Sequence, residues 1–235
     1  MNETPAPRRF YRHVGVAPHG AGFAVLLDGR TLRTPAKALF VLPAAPLAEA
    51  CAAEWRAQQD VVHAETMPLT RLANVAIDFA AHARTNLVQS LVKFAETDLL
   101  CHRAEHGPLA ARQAAAWDPL LAWAEHALSA PLKIAGGIIA VRQPAETSAV
   151  LTARAAAEDD FHLAGLAHAA GLAGSVVIAF ALREGKLSGE DAFSTAALDD
   201  LYQLETWGED EEARQRLNNQ RAEFLALEQF FAALG

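Results

Sequence analysis

Residues 23–35 read FAVLLDGRTLRTP, two apolar runs on either side of a tight turn signal. The runs 23–27 and 31–34 are short and rich in residues that favour strands. The dipeptide Asp28-Gly29 between them is the strongest two-residue hairpin signal, because both positions tolerate a positive φ. A third run, 10–16, precedes them across a glycine-containing turn. We therefore predict that the first 43 residues form strands.

The pattern becomes helical after this segment. From Pro46 to Gln59 apolar residues recur at three- and four-residue spacing, and Pro46 sits where a proline is favoured in the first helical turn. After Pro68 the 3.6-residue period predicts helices over 69–82, 84–97, 108–127, 144–171, 173–184, 188–206 and 209–233. The predicted fold class is α+β, with a small β-rich N-terminal domain (1–68, one helix) and a larger all-helical C-terminal domain (69–235).

Two further local features are predicted to be structural. In Asp118-Pro119 the carboxylate can cap a helix and proline can occupy its first turn, so this pair is expected to start or kink a helix. Trp55 is expected to pack the 46–59 helix onto the strands. Residues 131–143, with a Gly-Gly pair between apolar residues, are interpreted as an ordered connection.

Composition and charge exclude some classes of function. The chain has 235 residues with 53 alanines, which favour helix, and a formal net charge of −8. Nucleic-acid binding needs clustered Lys and Arg, so a nucleic-acid partner is not expected. The charge is uneven: residues 199–235 carry 9 acidic side chains against 3 arginines. Such a segment is either a solvated helix face or a contact surface for a partner.

Cysteine content and the N-terminus bear on location. Cys51 and Cys101 are the only cysteines, which is no disulfide framework and fits a reducing compartment. The N-terminal residues MNETPAPRRFYRH lack the apolar core of a secretory signal, and the apolar run from Gly174 to Leu182 is far shorter than a membrane helix needs. We expect a soluble intracellular protein that does not associate with membranes.

No motif predicts catalysis or cofactor binding. The sequence contains no phosphate-binding loop of the G-x-x-x-x-G-K-[ST] type, and Gly20-Ala21-Gly22 lacks the third glycine and following helix of a dinucleotide site. It has no nucleophile elbow, and Ser175 is interpreted as a small packing residue. We predict no catalytic residues and no cofactor.

Histidine and cysteine spacing offers one weak metal alternative. Cys101, His102, Glu105 and His106 fall within six residues, but without the paired spacing of a tetrahedral site. Cys101 is expected to be a buried thiol rather than a nucleophile. Glu158 and His162, four apart, are expected to form an exposed pair. No bound metal is predicted.

The four tryptophans have two competing interpretations. Trp55, Trp117, Trp123 and Trp207 each lie beside acidic or polar residues. A core Trp with its indole N–H satisfied nearby is the more common case. An exposed aromatic anchor is the alternative, because Trp dominates the energetics of protein interfaces.

An ordered series of short motifs runs through most of the chain. In sequence they are Asp28-Gly29-Arg30 with Thr34-Pro35-Ala36-Lys37, Glu54-Trp55-Arg56-Ala57-Gln58, Met67-Pro68-Leu69-Thr70-Arg71-Leu72-Ala73-Asn74 with Ile77-Asp78, Thr97-Asp98-Leu99-Leu100-Cys101, Trp117-Asp118-Pro119-Leu120-Leu121, and Trp207-Gly208-Glu209-Asp210. This series resembles the assembly chaperones of F-type ATP synthase that bind the free alpha subunit, known in mitochondria as ATP synthase assembly factor 2 and also found in alphaproteobacteria. The resemblance covers about 9–213, and His102 and Phe94 stand where the family commonly has Tyr.

The resemblance implies a non-enzymatic chaperone with a β-rich N-terminal and a helical C-terminal domain. Such a protein holds the unassembled alpha subunit of the ATP synthase until the beta subunit replaces it. We expect a monomer, cytoplasmic in a bacterium, with eukaryotic relatives in the mitochondrial matrix. Two alternatives remain open: a metal-dependent hydrolase using the region from Cys101 to His106, and a scaffold that bridges several assembly partners.

The acidic C-terminal face is the predicted contact surface for the client. A holding partner must cover an exposed surface and later release it, so a modest and partly charged interface is expected. The candidates for partner binding are Asp200, Trp207, Glu209, Asp210 and Glu211.

Overall fold

A computed structural model describes residues 7–136, 141–208 and 210–235, apart from the side chain of residue 81. A strand-rich N-terminal region precedes a mostly helical remainder, which confirms the predicted α+β class. The strands are β1 (Val14–His19), β2 (Gly22–Leu27), β3 (Arg30–Thr31), β4 (Val41–Leu42), β5 (His102–Arg103) and β6 (Ala135–Gly136). The α-helices are α1 (Ala45–Ala57), α2 (Pro68–Val75), α3 (Ala81–Glu96), α4 (Pro108–Trp123), α5 (Ala145–Ala157), α6 (Asp160–Ala173), α7 (Val176–Arg183), α8 (Gly189–Ala196), α9 (Leu198–Trp207) and α10 (Glu211–Leu234).

The N-terminal sheet is antiparallel and centred on β2. β1 pairs with β2 along its whole length, and β3 and β4 pair with opposite ends of β2 on its other side. Asp28 and Gly29 form the turn between β2 and β3 with φ of 48° and 79°. Both values lie in the left-handed region that a type I′ hairpin requires. The predicted hairpin at Asp28-Gly29 is confirmed.

Helix α1 covers this sheet, and its start follows the predicted signals. Pro46 lies in the first turn of α1, and Pro68 lies in the first turn of α2. The buried face of α1 carries Leu47 and Cys51, and Leu42 of β4 and the preceding Phe40 belong to the same fully buried set.

The chain divides into two compact units. One comprises Met1–His82 together with Gln229–Gly235, and the other comprises Ala83–Glu228. We call them the first and the second unit. The predicted domain boundary at residue 68 stays a prediction, because compactness alone does not establish an independently folding domain.

The second unit is built around the apolar helix α7. Every residue from Val176 to Leu182 is buried, and α6 packs along it. Trp117 of α4 is fully buried, with its indole Nε1 donating to the carbonyl of Thr195 at 3.1 Å. Trp117 is therefore a core residue of the common kind. Within the described residues, no helix is both long enough and apolar enough to cross a membrane.

Of the two outcomes expected for Asp118-Pro119, a helix start or a kink, the helix start is wrong. Pro119 lies inside α4, which starts at Pro108, and a π-helical turn over Ala124–Leu128 follows the helix. Pro119 is exposed, as is Ala115, whose carbonyl loses its usual amide partner. Water can hydrogen-bond that carbonyl, so the helix tolerates proline there. The N-cap residue of α4 is Gly107, and Asp118 instead forms an ion pair with Arg103 at 2.9 Å.

The long helix expected over 144–171 is two helices. Asp159 separates α5 from α6, and its side chain accepts hydrogen bonds from the amides of Phe161 and His162. The expectation that Glu158 and His162 form an exposed pair is also wrong. His162 is buried with Nδ1 2.6 Å from Asp159, and Glu158 pairs with Arg183 at 3.3 Å. The helix break turns these two side chains toward different partners.

Candidate functional site

Two of the predicted contact residues, Asp200 and Trp207, line a groove between α9 and α10. The groove has a volume of about 190 Å³ and is lined by Asp200, Gln203, Leu204, Trp207, Gly208, Ala213, Arg216 and Leu217. We call this region the α9–α10 surface. Gly208 ends α9 with φ of 95°, a conformation that favours glycine, and α10 begins three residues later. Residues of both helices line the groove.

Trp207 is the most exposed large apolar side chain of the structure's described part. It is the last residue of α9, and 77% of its surface is accessible. A Trp is rarely left in water without a partner, because burying such a side chain is worth several kcal/mol. Of the two interpretations of the tryptophans, Trp207 fits the exposed anchor.

The acidic candidates do not all present a free charge. Asp200 forms an ion pair with Arg216 across the groove at 3.2 Å, with both side chains about half exposed. Asp210 accepts a hydrogen bond from the amide of Glu212 at 3.3 Å, at the start of α10. Glu211 is exposed in the first turn, where the helix dipole favours an acid. Glu209 lies outside the described residues.

Sequence reasoning missed the polar contacts that hold α9 in place. Arg112 of α4 lies 5.0 Å from the ring centroid of Tyr202 and forms an ion pair with Glu205 at 2.5 Å. Gln113 is buried and donates to Asp199 at 2.8 Å. The residues of α4 and α9 are distant in sequence, so no local sequence pattern predicts these pairs. Only the packed structure reveals them.

Helix α9 therefore rests on partly exposed contacts. None of its ten residues is fully buried, unlike the neighbouring α7 and α8. An element held by few buried apolar contacts opens locally at low free-energy cost. The α9–α10 surface thus combines an exposed aromatic side chain with a helix that has no fully buried residue.

Two carboxylates in the motif series stabilise the fold by accepting hydrogen bonds from backbone amides. In the second unit, buried Asp98 accepts from the amides of Leu100 at 3.0 Å and Val177 at 3.2 Å. In the first unit, Glu54 accepts from the amides of Leu69 and Thr70, each at 2.8 Å. Each carboxylate satisfies amides at the start of a helix that is distant in sequence.

Ser175 also has a role that the sequence did not predict. Its hydroxyl accepts a hydrogen bond from the amide of Ile178 at 3.1 Å and so caps α7. Its interpretation as a simple packing residue is therefore incomplete: it is buried, but it also satisfies a helix terminus. Burial raises the pKa of the nearby Asp98 to about 6, against the opposing effect of Ser175 and the amides.

The segment from Cys101 to His106 does not gather its side chains. Cys101 is buried, and burial together with the charge of Asp98 raises the pKa of its thiol to about 12. Glu105 and His106 are exposed in the following loop. Among the described residues, no group of three His, Cys, Asp or Glu side chains is placed to hold a metal ion. A thiol with such a pKa is a poor nucleophile and a poor ligand at neutral pH.

Comparison with known proteins is consistent with the motif series. The family model of the ATP12 chaperone protein matches residues 8–125, half of the chain. The chain belongs to the ATP12 chaperone family. This is a family of ATP synthase assembly chaperones, so the resemblance stated from the motifs is confirmed.

Solved structures extend the similarity over the whole ATP12-type fold. The crystal structure of Atp12 from Paracoccus denitrificans is 38% identical, with a TM-score of 0.91 over 97% of this chain and 98% of that chain. A protein of Agrobacterium tumefaciens, Atu1473, is also 38% identical, with a TM-score of 0.92 over 99% of this chain and 88% of that chain. The mitochondrial protein atp12 of Schizosaccharomyces pombe is 28% identical over 224 residues, 90% of this chain and 77% of that protein.

Proposed function

We propose that this ATP12-family chaperone holds the unassembled alpha subunit of the F-type ATP synthase until the beta subunit replaces it. Family membership supports a role in ATP synthase assembly. The choice of alpha as the client follows from the motif resemblance. An isolated subunit exposes the surface that its partner will later cover, and a large exposed apolar surface leads to aggregation.

The α9–α10 surface is the proposed client contact. The observation that carries this proposal is the 77% exposure of Trp207 beside the Asp200–Arg216 ion pair. A Trp anchor at the centre with charged groups at the rim is the usual arrangement of an interface hot spot. The ion pair can also exchange partners, because Asp200 and Arg216 are both accessible to a client's charges.

The chaperone acts without catalysis, as a cytoplasmic monomer in a bacterial cell. The absence of a nucleotide motif in the sequence and the high pKa of the Cys101 thiol support a binding role. No observation favours the metal-dependent hydrolase. A scaffold for several partners would instead capture several assembly proteins in comparable amounts.

Capture of purified alpha subunit by the purified chaperone tests the proposal. Trp207→Ala should weaken capture about tenfold or more, which corresponds to a loss of 1.4 kcal/mol or more. The matched control is Leu225→Ala, which removes another exposed apolar side chain, on α10. Size-exclusion chromatography of the chaperone alone should show a monomer, and the complex should contain one chaperone per alpha subunit.

Three outcomes would contradict the proposal. The first is that the wild-type chaperone does not capture alpha. The second is that Trp207→Ala captures alpha as well as wild type does while keeping its melting temperature. The third is equal weakening by Leu225→Ala, which would mean that capture depends on general apolar contact and not on this surface.

A further inference from the structure

The first unit contains a larger groove that the proposed function does not use. It lies beside the β2–β3 hairpin and has a volume of about 500 Å³. We call it the hairpin groove. Three buried side chains, Tyr11, Leu27 and Leu32, form its apolar floor. Its rim is formed by exposed residues on both sides, among them Phe10, Arg30 and Arg33.

Phe10 gives the groove an apolar anchor point. It is 71% exposed, although its ring packs edge-on against Tyr11 with centroids 5.4 Å apart. That contact fixes the position of the ring without removing it from water. A held but exposed aromatic ring next to a concave apolar floor is suited to an apolar side chain from another molecule.

The free charge of the groove is positive. The guanidinium of Arg30 is exposed and has no hydrogen-bond or ion-pair partner among the described residues, and the guanidinium of Arg33 donates only to the carbonyl of Lys37. The carboxylate of Asp28 is already engaged in hydrogen bonds, because it accepts from the amides of Arg12 and His13. The hydrogen bond from the His13 amide is the main reason that the pKa of Asp28 is lowered. In a chain of net charge −8, such a positive site stands out.

The edge of the sheet also borders the groove. In a two-residue hairpin the closing pair, here Leu27 and Arg30, is hydrogen-bonded, and the next pair, Leu26 and Thr31, is not. The amide and carbonyl of Thr31 therefore point away from β2. Within the described residues, no strand pairs with β3 on that side. An extended peptide could hydrogen-bond at this position.

We propose that the hairpin groove binds an extended acidic segment of the client that carries one apolar or aromatic side chain. The apolar side chain lies on the floor against Phe10, carboxylates pair with Arg30 and Arg33, and the peptide backbone bonds to Thr31. The identity of the client rests on the proposed function; the chemistry of the segment rests on the groove alone. This contact would give the chaperone a second point of attachment, which raises overall affinity without a larger interface.

An anionic membrane shares the charge but fits the site less well. Arginines with an exposed Phe can bind a lipid surface, yet the groove is concave and the chain as a whole is strongly acidic. Repulsion between that net charge and anionic lipid opposes membrane binding. A peptide segment satisfies the floor, the arginines and the strand edge together.

Fluorescence anisotropy of a labelled peptide tests the proposal. The probe is a short fluorescein-labelled peptide in which glutamates flank a single phenylalanine. It is titrated with the chaperone, residues 1–235. Arg30→Glu and Phe10→Ala should each weaken binding about tenfold or more, and added salt should weaken binding to the wild type. The control variants are Lys93→Glu, an exposed charge on α3, and Leu225→Ala, an exposed apolar residue on α10. Both should bind as wild type does.

Several results would overturn the proposal. The first is that the wild type does not bind the peptide. The second is that the wild type binds a peptide with lysines in place of glutamates equally well. The third is that the Arg30→Glu variant is folded and binds the peptide as the wild type does. The chaperone could instead bind anionic vesicles and not the peptide. If Phe10→Ala and Arg30→Glu weakened that vesicle binding, the groove would be assigned to a lipid surface. The peptide should compete with alpha for the chaperone, and lack of competition would remove the client from the proposal. Failure of alpha capture itself would instead concern the α9–α10 surface, because the peptide measurement does not use alpha.

Discussion

The carboxylate of Asp98 accepts a hydrogen bond from the amide of Val177, 3.2 Å away and 79 residues further along the chain. The same carboxylate accepts from the amide of Leu100 at 3.0 Å. It thereby joins the turn Leu99–Cys101 to the start of the buried helix α7. Asp98, a motif residue that could be mistaken for a catalytic acid, therefore links two segments in the core of the second unit through hydrogen bonds.

Removing the hydrogen bonds of the Asp98 carboxylate should destabilise the fold. Asp98→Ala leaves buried amides without an acceptor, and we expect the free energy of unfolding to fall by about 3 kcal/mol. Urea denaturation at pH 7 measures the change. The control is Asp118→Ala, whose ion pair with Arg103 is exposed on the aspartate side and should contribute less than about 1 kcal/mol. Equal effects of the two variants would contradict the assignment.

The stability of the protein should depend on pH through Asp98. Burial raises the pKa of this carboxyl from 3.8 to about 6, so the folded state binds the proton more tightly than the unfolded state. The contribution of Asp98 to stability is therefore complete below about pH 3.8 and is lost as pH rises through about 6. Asp98→Asn lacks this titration. Between pH 4 and pH 8 the stability of wild type relative to Asp98→Asn should fall by up to about 3 kcal/mol, and a constant difference would show that the pKa is not raised.

Glu54 caps the start of α2 in the first unit, and its contribution to stability can be measured. Its carboxylate accepts from two amides at the start of the helix and from the hydroxyl of Thr70 at 2.7 Å. Glu54→Ala should lower the free energy of unfolding by about 2 kcal/mol, the upper range for lost helix caps. Glu49→Ala on the same helix removes only an exposed ion pair with Arg56 and should cost less than about 1 kcal/mol. Thermal unfolding of both variants checks the ranking.

The two motif tryptophans should differ in their contributions to stability. Trp117 is fully buried and hydrogen-bonded, so Trp117→Ala should cost about 3–5 kcal/mol. Trp55 is only partly buried against the ring of Tyr11, and the hydroxyl of Tyr11 donates to its backbone carbonyl, which survives the substitution. Trp55→Ala should therefore cost less, about 2 kcal/mol. Denaturant unfolding decides the order, and a larger loss at Trp55 would contradict it.

The acidic start of α10 is expected to guide association with the client. Asp210→Asn with Glu211→Gln removes two negative charges while keeping a residue that caps helices well. The association rate with alpha should fall and become less sensitive to salt, because rim charges act mainly by steering. The melting temperature should hardly change. Stopped-flow association at low and moderate salt measures the effect, and unchanged rates at every salt concentration would identify a merely solvated face.

Features set by neighbouring residues were predictable from the sequence. The hairpin at Asp28-Gly29 and the helix starts at Pro46 and Pro68 depend on allowed φ values and on a missing N–H, which are properties of the residues themselves. The order of the motifs was enough to indicate the family. The α+β class followed from the change of period along the chain.

The tertiary structure alone decided what each side chain does. Trp117 and Trp207 each lie near an acidic residue in the sequence, yet one is fully buried and the other 77% exposed, because burial depends on which elements pack above them. The amide of Val177 at the start of α7 donates to the distant Asp98, and the partner of Asp200 comes from another helix. Pro119 could stay inside α4 because its face of the helix meets water. Contacts between residues distant in sequence carry no local signal, since they exist only after the chain has packed.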